Sequence, residues 1–176
     1  MDNQVVLVDE QDREIGVEDK IKVHIQPRLH RAFSVFLFNG SGKLLLQQRA
    51  ADKYHSGGLW TNTCCSHPRP GERTERAAAR RLVEEMGISC PLRKAFDFVY
   101  RASVYRGLTE YELDHVFIGC YNGAVHPNPL EVMDHRWVAI GDLNASIQAD
   151  PHRYTPWLVL ALERVVECSR GGLRSG

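Results

Sequence analysis

The sequence carries no excess of charge of either sign. Its 22 Lys and Arg residues balance 22 Asp and Glu residues, so the formal net charge at pH 7 is zero. A protein that binds nucleic acids in general relies on a basic surface that pairs with phosphates. We therefore expect no nucleic-acid partner for this chain.

Long apolar runs and an N-terminal leader are also missing. A membrane-spanning helix needs about 18 or more consecutive apolar residues, and no stretch of the 176 residues approaches that length. Residues 1–4 lack the basic start of a secretory leader, and no long apolar run follows them. We expect a cytoplasmic protein that has no membrane partner.

Cysteine is scarce and occurs in an odd number, with five residues in the chain. No two cysteines have the two-residue spacing that is typical of thiolate zinc sites, and an odd number in an intracellular chain favours free thiols. The hydrophobic fraction of 43% and the charged fraction of 25% are ordinary for a globular domain. We expect one domain, present as a monomer or a weak homo-oligomer.

Hydrophobic periodicity predicts strands on both sides of a central helix. This helix covers residues 74–86, with Thr74 as its cap and Gly87 after its end. A second, amphipathic helix covers residues 155–168. Residues 20–31 contain a proline and are interpreted as irregular or edge structure. The predicted strands cover residues 5–8, 32–38, 43–49, 61–66, 96–105, 112–121 and 131–139.

This order of elements predicts one α/β sandwich. We expect residues 1–176 to form a single domain. Within it, an N-terminal extension covers about residues 1–25, the core covers residues 30–165, and a glycine-rich frayed tail covers residues 169–176.

Three histidines and two glutamates offer a mixed set of nitrogen and oxygen donors. On a strand, Glu110 and Glu112 lie on the same face because side chains alternate. Neutral imidazole and carboxylate groups suit a divalent ion such as Zn, Mn or Mg. Taken singly, each side chain is better explained by an ordinary core or surface position. For the five together, both interpretations stay open. The five residues are His24, His30, His67, Glu110 and Glu112.

Cys65 lies two positions before His67, so the two side chains share a face if this segment is a strand. A thiol next to a histidine suits acid–base or nucleophilic chemistry, although a free cysteine is also a common small buried residue. Four basic residues are scattered in the sequence and form a phosphate site only if the fold brings them together. They are Lys20, Arg49, Lys53 and Arg81.

Five short motifs occur in a distinctive order along the chain. They are Leu-His-Arg-Ala-Phe-Ser at 29–34, Arg-Ala at 49–50, Leu-Trp-Thr-Asn at 59–62, Cys-Ser-His-Pro at 65–68 and Glu-Tyr-Glu at 110–112. Together they resemble the type I isopentenyl diphosphate isomerases. The resemblance covers about residues 20–160 and implies the Nudix fold, an αβα sandwich with mixed β-sheets.

The predicted central helix lies in a partial match to the Nudix box, G-x5-E-x7-R-E-U-x-E-E-x-G-U, in which U is aliphatic. Ser66 replaces the first glycine of the box, and Arg81 replaces the glutamate that follows the arginine. In hydrolases of the superfamily that glutamate is a metal ligand and base, so a cation in its place disfavours pyrophosphate hydrolysis. The matching residues are Glu72, Arg80, Leu82, Glu84, Glu85, Gly87 and Ile88.

The resemblance implies an isomerase of isoprenoid biosynthesis that interconverts isopentenyl and dimethylallyl diphosphate through a tertiary carbocation. Cys65 and Glu112 match the acid–base pair of the family, and the sequence does not decide which of them donates the proton. Glu85 matches the ligand of a Mg ion that also holds the diphosphate. The other matches are to divalent-metal ligands (His24, His30, His67, Glu110 and Glu112), diphosphate-binding positions (Lys20, Arg49, Lys53 and Arg81) and pocket aromatics (Tyr100 and Trp157).

Two other functions are compatible with parts of this pattern. A Nudix-type diphosphohydrolase would share the fold and Glu85, but Arg81 disfavours it. A non-catalytic metal- or ligand-binding module would share the donor residues, but it would have no turnover that depends on Cys65. The partner expected under the isomerase hypothesis is a small-molecule diphosphate.

Overall fold

The computed structural model describes residues 3–104 and 107–172 of the chain. These residues contain nine strands and four α-helices. The strands are β1 (Gln4–Val8), β2 (Glu14–Asp19), β3 (His30–Phe38), β4 (Leu44–Arg49), β5 (Trp60–Thr61), β6 (Cys64–Ser66), β7 (Leu92–Val104), β8 (Leu108–Cys120) and β9 (Val132–Val138). The helices are α1 (Lys20–Ile25), α2 (Thr74–Met86), α3 (Ile140–Ala149) and α4 (Pro156–Gly172).

Strand β3 lies at the centre of a curled mixed sheet. It pairs in parallel with β8 over its whole length, from His30 opposite Glu112 to Phe38 opposite Cys120. Its other edge pairs antiparallel with β1, β6 and β4 in successive segments. Strand β7 pairs antiparallel with β8, and β9 pairs antiparallel with β4.

Alternate side chains of β3 enter two separate cores, because successive residues of a strand point to opposite faces. Residues 33, 35 and 37 pack with Leu82 of α2. Phe36 and Phe38 pack with Leu158 of α4 on the other face of the sheet. Burial of each such side chain stabilises the fold by about 2 kcal/mol. The sheet therefore lies between two helical layers, which confirms the predicted αβα sandwich.

Helix α1 is where the prediction of irregular structure was wrong. The carboxylate of Asp19 accepts hydrogen bonds from the backbone N–H groups of Ile21 and Lys22 and so caps the helix. The helix is one and a half turns long and ends before Pro27, so it leaves almost no periodic signal. Strand β2 and helix α3 were also absent from the prediction.

Helix α2 has the predicted end but not the predicted cap. Arg73 occupies the cap position without a side-chain hydrogen bond, and Thr74 is already the first helical residue. Gly87 ends the helix with φ +66°, and a Cβ added there would lie 2.6 Å from the carbonyl oxygen of His126. Glycine is therefore required at this position.

The remaining boundaries agree within a few residues. Helix α4 continues through Gly172, four residues beyond the prediction. Residues 105–106, which include the predicted end of the strand at 96–105, and residues 173–176, part of the predicted tail, lie outside the described residues. Within residues 3–104 and 107–172, none of the helices offers an apolar stretch that would span a bilayer. All five cysteines are described, and none is in a disulfide.

Candidate active site

A polar pocket of about 110 Å³ opens where α1, the β4–β5 loop, β6, β7, β8 and α4 meet. The topology places the site, because the parallel pairing of β3 and β8 sets His30 directly beside Glu112. The antiparallel pairing of β3 and β6 sets Ser34 beside Cys65. Glu110 and Glu112 project to one face of β8 and are both buried.

Buried histidines contact these two carboxylates. His24 Nε2 lies 3.0 Å from Glu110 Oε2, His67 Nε2 lies 2.8 Å from Glu112 Oε1, and His30 Nε2 lies 3.4 Å from the same oxygen of Glu112. The donor atoms of His24, His30, His67 and Glu112 all lie within 4.8 Å of one another. Four of the five predicted ligands therefore form one cluster, and the fifth, Glu110, adjoins it through His24.

The tautomers of two of these histidines fit a bound cation. His24 Nδ1–H donates to the carbonyl oxygen of Lys20 at 2.5 Å, and His30 Nδ1–H donates to that of Arg28 at 2.8 Å. The Nε2 lone pairs then point toward carboxylate oxygens, and His30 Nε2 is buried without a hydrogen-bond partner among the described residues. Metal-bound histidines are typically fixed in this way through their second nitrogen. The cluster therefore fits a divalent ion.

Cys65 and Glu112 both line the pocket. Burial raises the pKa of Cys65 to about 12, although Arg49 opposes the shift, so the thiol stays protonated at neutral pH. Burial would also raise the pKa of Glu112, but the neighbouring imidazoles of His30 and His67 hold it well below its ordinary value. Tyr100 Oη donates to the second oxygen, Oε2, at 2.7 Å. The pocket thus presents a protonated group and an ionised group.

The four basic residues scattered in sequence converge on the pocket together with Glu85. Arg81 Nη2 donates to Glu85 Oε1 at 2.6 Å, and Gln47 Nε2 donates to Glu85 Oε2 at 2.9 Å. Burial lowers the pKa of Lys53, and its ammonium contacts Glu131. Arg81 also approaches Glu131, at 3.3 Å. The fold therefore brings the four basic side chains together, as a phosphate site would require.

Arg49 is buried and stabilises the pocket wall as well as contributing charge. Its Nη2 donates to the carbonyl oxygen of His55 and its Nε to that of Ser56, both at 3.2 Å. The guanidinium lies over the ring of Trp157, with 5.5 Å from Cζ to the ring centroid, and Nη1 lies 3.8 Å from Cys65 Sγ. Arg49 therefore joins the β4–β5 loop, the thiol and α4.

The Trp-Thr-Asn motif positions these groups without lining the pocket. Asn62 Oδ1 accepts a hydrogen bond from Trp157 Nε1 at 3.1 Å, and Asn62 Nδ2 donates to the carbonyl oxygens of Val35 and Cys64. Thr61 Oγ1 bonds to Thr155 at 2.7 Å. The motif therefore fixes β6 and the start of α4 against the central strand.

Every predicted site residue lies in or beside this pocket. His24 and His30 are fully buried in the donor cluster behind the pocket wall, and the eleven others line it. Their roles as ligands, acid, base and anchors stay predictions. The lining residues that the sequence did not indicate include Ser34, Tyr54 and His55. His55 carried one weak signal, since it is a histidine two positions after Lys53.

The glutamates of the Nudix box have different environments. Arg80 forms a bidentate pair with Glu72, at 2.8 Å for both bonds, and reaches Glu84 at 3.2 Å. Of these three glutamates only Glu85 is among the described pocket-lining residues. Arg81, which replaces a hydrolase glutamate, contacts Glu84 and Glu85. The guanidinium of Arg81 therefore lies at the position where the hydrolase form of the Nudix box has a glutamate.

The fold and the pocket define a NUDIX-domain protein, and the NUDIX domain family model matches residues 28–158. The MutT NUDIX hydrolase from Burkholderia pseudomallei shares the fold, with a TM-score of 0.63 over 78% of this chain and 98% of that one, at 21% identity.

Relatives of similar sequence show which family of NUDIX-domain proteins the chain belongs to. Isopentenyl-diphosphate Delta-isomerase 1 of Aromatoleum aromaticum is 54% identical over 96% of this chain and 95% of its own length. Isopentenyl-diphosphate Delta-isomerase 2 of Photorhabdus laumondii is 53% identical over 89% of each chain. The chain belongs to the isopentenyl-diphosphate Delta-isomerase family.

Proposed function

We propose that this chain catalyses the reversible isomerisation of isopentenyl diphosphate to dimethylallyl diphosphate. One observation carries the proposal: a thiol and a carboxylate, those of Cys65 and Glu112, line the same pocket as four basic side chains. The reaction moves a double bond by adding a proton at one carbon and removing a proton from another. It therefore needs one proton donor and one proton acceptor.

Cys65 and Glu112 form the acid–base pair of this proposal. Protonation of the terminal methylene carbon of isopentenyl diphosphate gives a tertiary carbocation, and loss of a proton from the carbon next to the diphosphate-bearing one gives the product. One group supplies the first proton and the other takes the second. Their roles exchange when the reaction runs backwards.

The pocket walls suit a short-lived carbocation. Trp157 presents an aromatic ring beside the pocket, and such a ring stabilises a desolvated cation by about 2 kcal/mol. Tyr100 is buried and hydrogen-bonds to Glu112, so it orients the carboxylate. Excluding water from this wall protects the cation from capture.

The diphosphate does no chemistry and serves as the anchor. Lys20, Arg49, Lys53 and Arg81 supply positive charge, and Glu85 would hold a Mg ion that adds positive charge for the diphosphate. The binding energy positions the alkene between the acid and the base. Lys53 and Arg81 also contact Glu131, so a diphosphate would compete with this carboxylate for them.

The His/Glu donors would hold a second divalent ion, for which Zn, Mn and Mg all suit the ligand chemistry. Bound there, the ion would fix the charge of Glu112 and set its proton affinity. The cytoplasmic location and the state of monomer or weak homo-oligomer stay predictions.

The test is the incubation of isopentenyl diphosphate with the protein and Mg²⁺ in deuterated water. We expect dimethylallyl diphosphate that contains deuterium from wild type and none from Cys65→Ala. Phosphate release from a panel of nucleoside diphosphate derivatives, without any isomer, would overturn the proposal in favour of a diphosphohydrolase.

A further inference from the structure

A fourth histidine contacts the donor cluster from outside the predicted ligand set. His55 is 4% exposed, and its Nε2 lies 2.8 Å from Glu110 Oε1. The other oxygen of Glu110, Oε2, lies 3.0 Å from His24 Nε2. The donor atoms of His24, His55 and Glu110 lie within 4.8 Å of one another. Glu110 is therefore held between two imidazoles, one on each oxygen.

The backbone around His55 is fixed by buried contacts. Arg49 holds the carbonyl oxygens of His55 and Ser56, and Ser56 adopts φ +52°, a left-handed conformation. A Cβ added at Gly57 would lie 2.5 Å from the carbonyl oxygen of Ala51. Because a non-glycine residue in this conformation requires support from its surroundings, the loop holds the imidazole in a defined place.

The ring of His55 is also packed on both sides. Its centroid lies 4.2 Å from that of Tyr54 and 6.1 Å from that of Trp157, with both pairs nearly perpendicular. Arg49 bonds to the backbone carbonyl oxygen of His55 and not to its ring. Removing the imidazole therefore leaves the anchor of the loop in place.

The second ring nitrogen, Nδ1, has a different kind of partner in His55 than in the predicted ligands His24 and His30. In His24 and His30 this nitrogen donates to a carbonyl oxygen, so Nε2 is the nitrogen without a proton. In His55, Nδ1 instead faces the hydroxyl of Ser56 at 3.2 Å, a group that is able to donate. With that tautomer, the Nε2–H of His55 donates to Glu110.

We propose that His55 is a positioning residue for Glu110. Its Nε2–H donates to Glu110 Oε1, which keeps Oε2 turned toward His24 and available to a cation. Outer-shell hydrogen bonds of this kind typically change metal affinity by about 10- to 100-fold. This inference rests on the metal site of the proposed function, but its test does not require isomerase turnover.

The experiment compares cobalt(II) binding by the purified full chain and three variants. His55→Ala removes the donor, His55→Gln restores a neutral N–H donor, and His152→Ala is the matched control because His152 is exposed and is not among the donor residues. Affinity is measured by competition with a chromogenic chelator, and the visible spectrum of bound cobalt reports the number of nitrogen ligands. Circular dichroism of the metal-free proteins checks folding.

We expect His55→Ala to bind cobalt at least about 10-fold more weakly than wild type, His55→Gln to recover most of the loss, and His152→Ala to match wild type. The saturated spectra should coincide, because the set of bound atoms is unchanged. Equal affinity of wild type and His55→Ala would overturn the inference while leaving the metal site intact. Loss of affinity in both His55 variants with an altered spectrum would overturn it in favour of direct ligation. No binding by wild type would overturn the metal site itself and the inference with it.

Discussion

At the scale of single residues, burial keeps the Cys65 thiol protonated. The proposed reaction needs one proton donor and one proton acceptor. We expect Cys65→Ala to fold and to lose at least about a thousandfold in turnover, because general acid–base groups typically contribute about 10²- to 10⁴-fold. The measurement is the rate of dimethylallyl diphosphate formation. Cys120→Ala is the control, since Cys120 is exposed at the end of β8. Turnover of Cys65→Ala near the wild-type rate would refute the role.

The same burial predicts low thiol reactivity. Only the thiolate is a strong nucleophile, and with a pKa of about 12 Cys65 contains very little thiolate at pH 8. We expect iodoacetamide at pH 8 to modify the exposed Cys120 well before Cys65, as followed by peptide mass spectrometry over time. Modification of Cys65 first would show that its thiol is ionised in solution.

The sequence predicted the site residues that lie in specific short motifs, and it missed those that depend on the fold alone. Cys65, His67 and Glu112 are in blocks whose spacing is distinctive. His55 meets Glu110 only through folding, since 55 positions separate the two residues in the chain. Its position two residues after Lys53 is a weak local signal and does not distinguish His55 from a histidine on a surface loop.

At the scale of elements, the end of α2 depends on a glycine in a left-handed conformation. We expect Gly87→Ala to lower the free energy of unfolding by at least about 1–2 kcal/mol, because of the positive φ and the close carbonyl oxygen of His126. Gly141→Ala is the control, since an added Cβ there meets nothing within 4 Å and lies in helix α3. It should leave stability unchanged or raise it slightly. If urea unfolding showed the same change in the free energy of unfolding for Gly87→Ala and Gly141→Ala, the role of Gly87 at the end of α2 would be contradicted.

The bidentate pair of Glu72 and Arg80 ties the loop before α2 to the helix and makes stability depend on pH. Hydrogen bonds from Arg80 lower the pKa of Glu72 below its ordinary value of 4.5, against burial. The stabilisation is therefore complete above about pH 4.5 and is lost as the pH falls through the lower, folded-state pKa. We expect Glu72→Gln to cost about 1 kcal/mol at pH 7 and to lose less than wild type on acidification. Glu75→Gln, on an exposed side chain, should follow wild type in both respects.

Elements with a strong apolar pattern were predictable, and short or exposed elements were not. The nearly continuous apolar run of β3 and the glycine at the end of α2 both left clear patterns in the sequence. Helix α3 buries only Leu143, and β2 is an edge strand with no fully buried side chain, so neither has a periodic apolar face. Helix α1 is formed by the cap of Asp19, a local hydrogen-bonding effect that a hydrophobic pattern does not contain.

At the scale of the whole molecule, a divalent ion bound by residues from distant parts of the chain stabilises the folded state alone. We expect Zn²⁺ or Mn²⁺ at 100 times its Kd to add about 2.7 kcal/mol, which raises the Tm by about 5–10 °C for a chain of this size. Thermal unfolding with ion and with chelator makes the comparison. Ca²⁺ is the control ion, because it prefers oxygen ligands alone. A Tm that does not respond to Zn²⁺ or Mn²⁺ would count against the His/Glu cluster as a metal site.

The parallel pairing of β3 with β8 has a consequence for the order in which the protein is made. Ser34 and Asp114, whose side chains form a hydrogen bond between the two strands, are 80 positions apart. The cluster histidines all precede the carboxylates in the chain. During synthesis on the ribosome the imidazoles emerge first, without the groups that complete the cluster. A cation that occupies this cluster is therefore loaded only after Glu112 has been translated and β8 has joined the sheet, so the supply of metal acts on the assembled domain and not on the nascent chain.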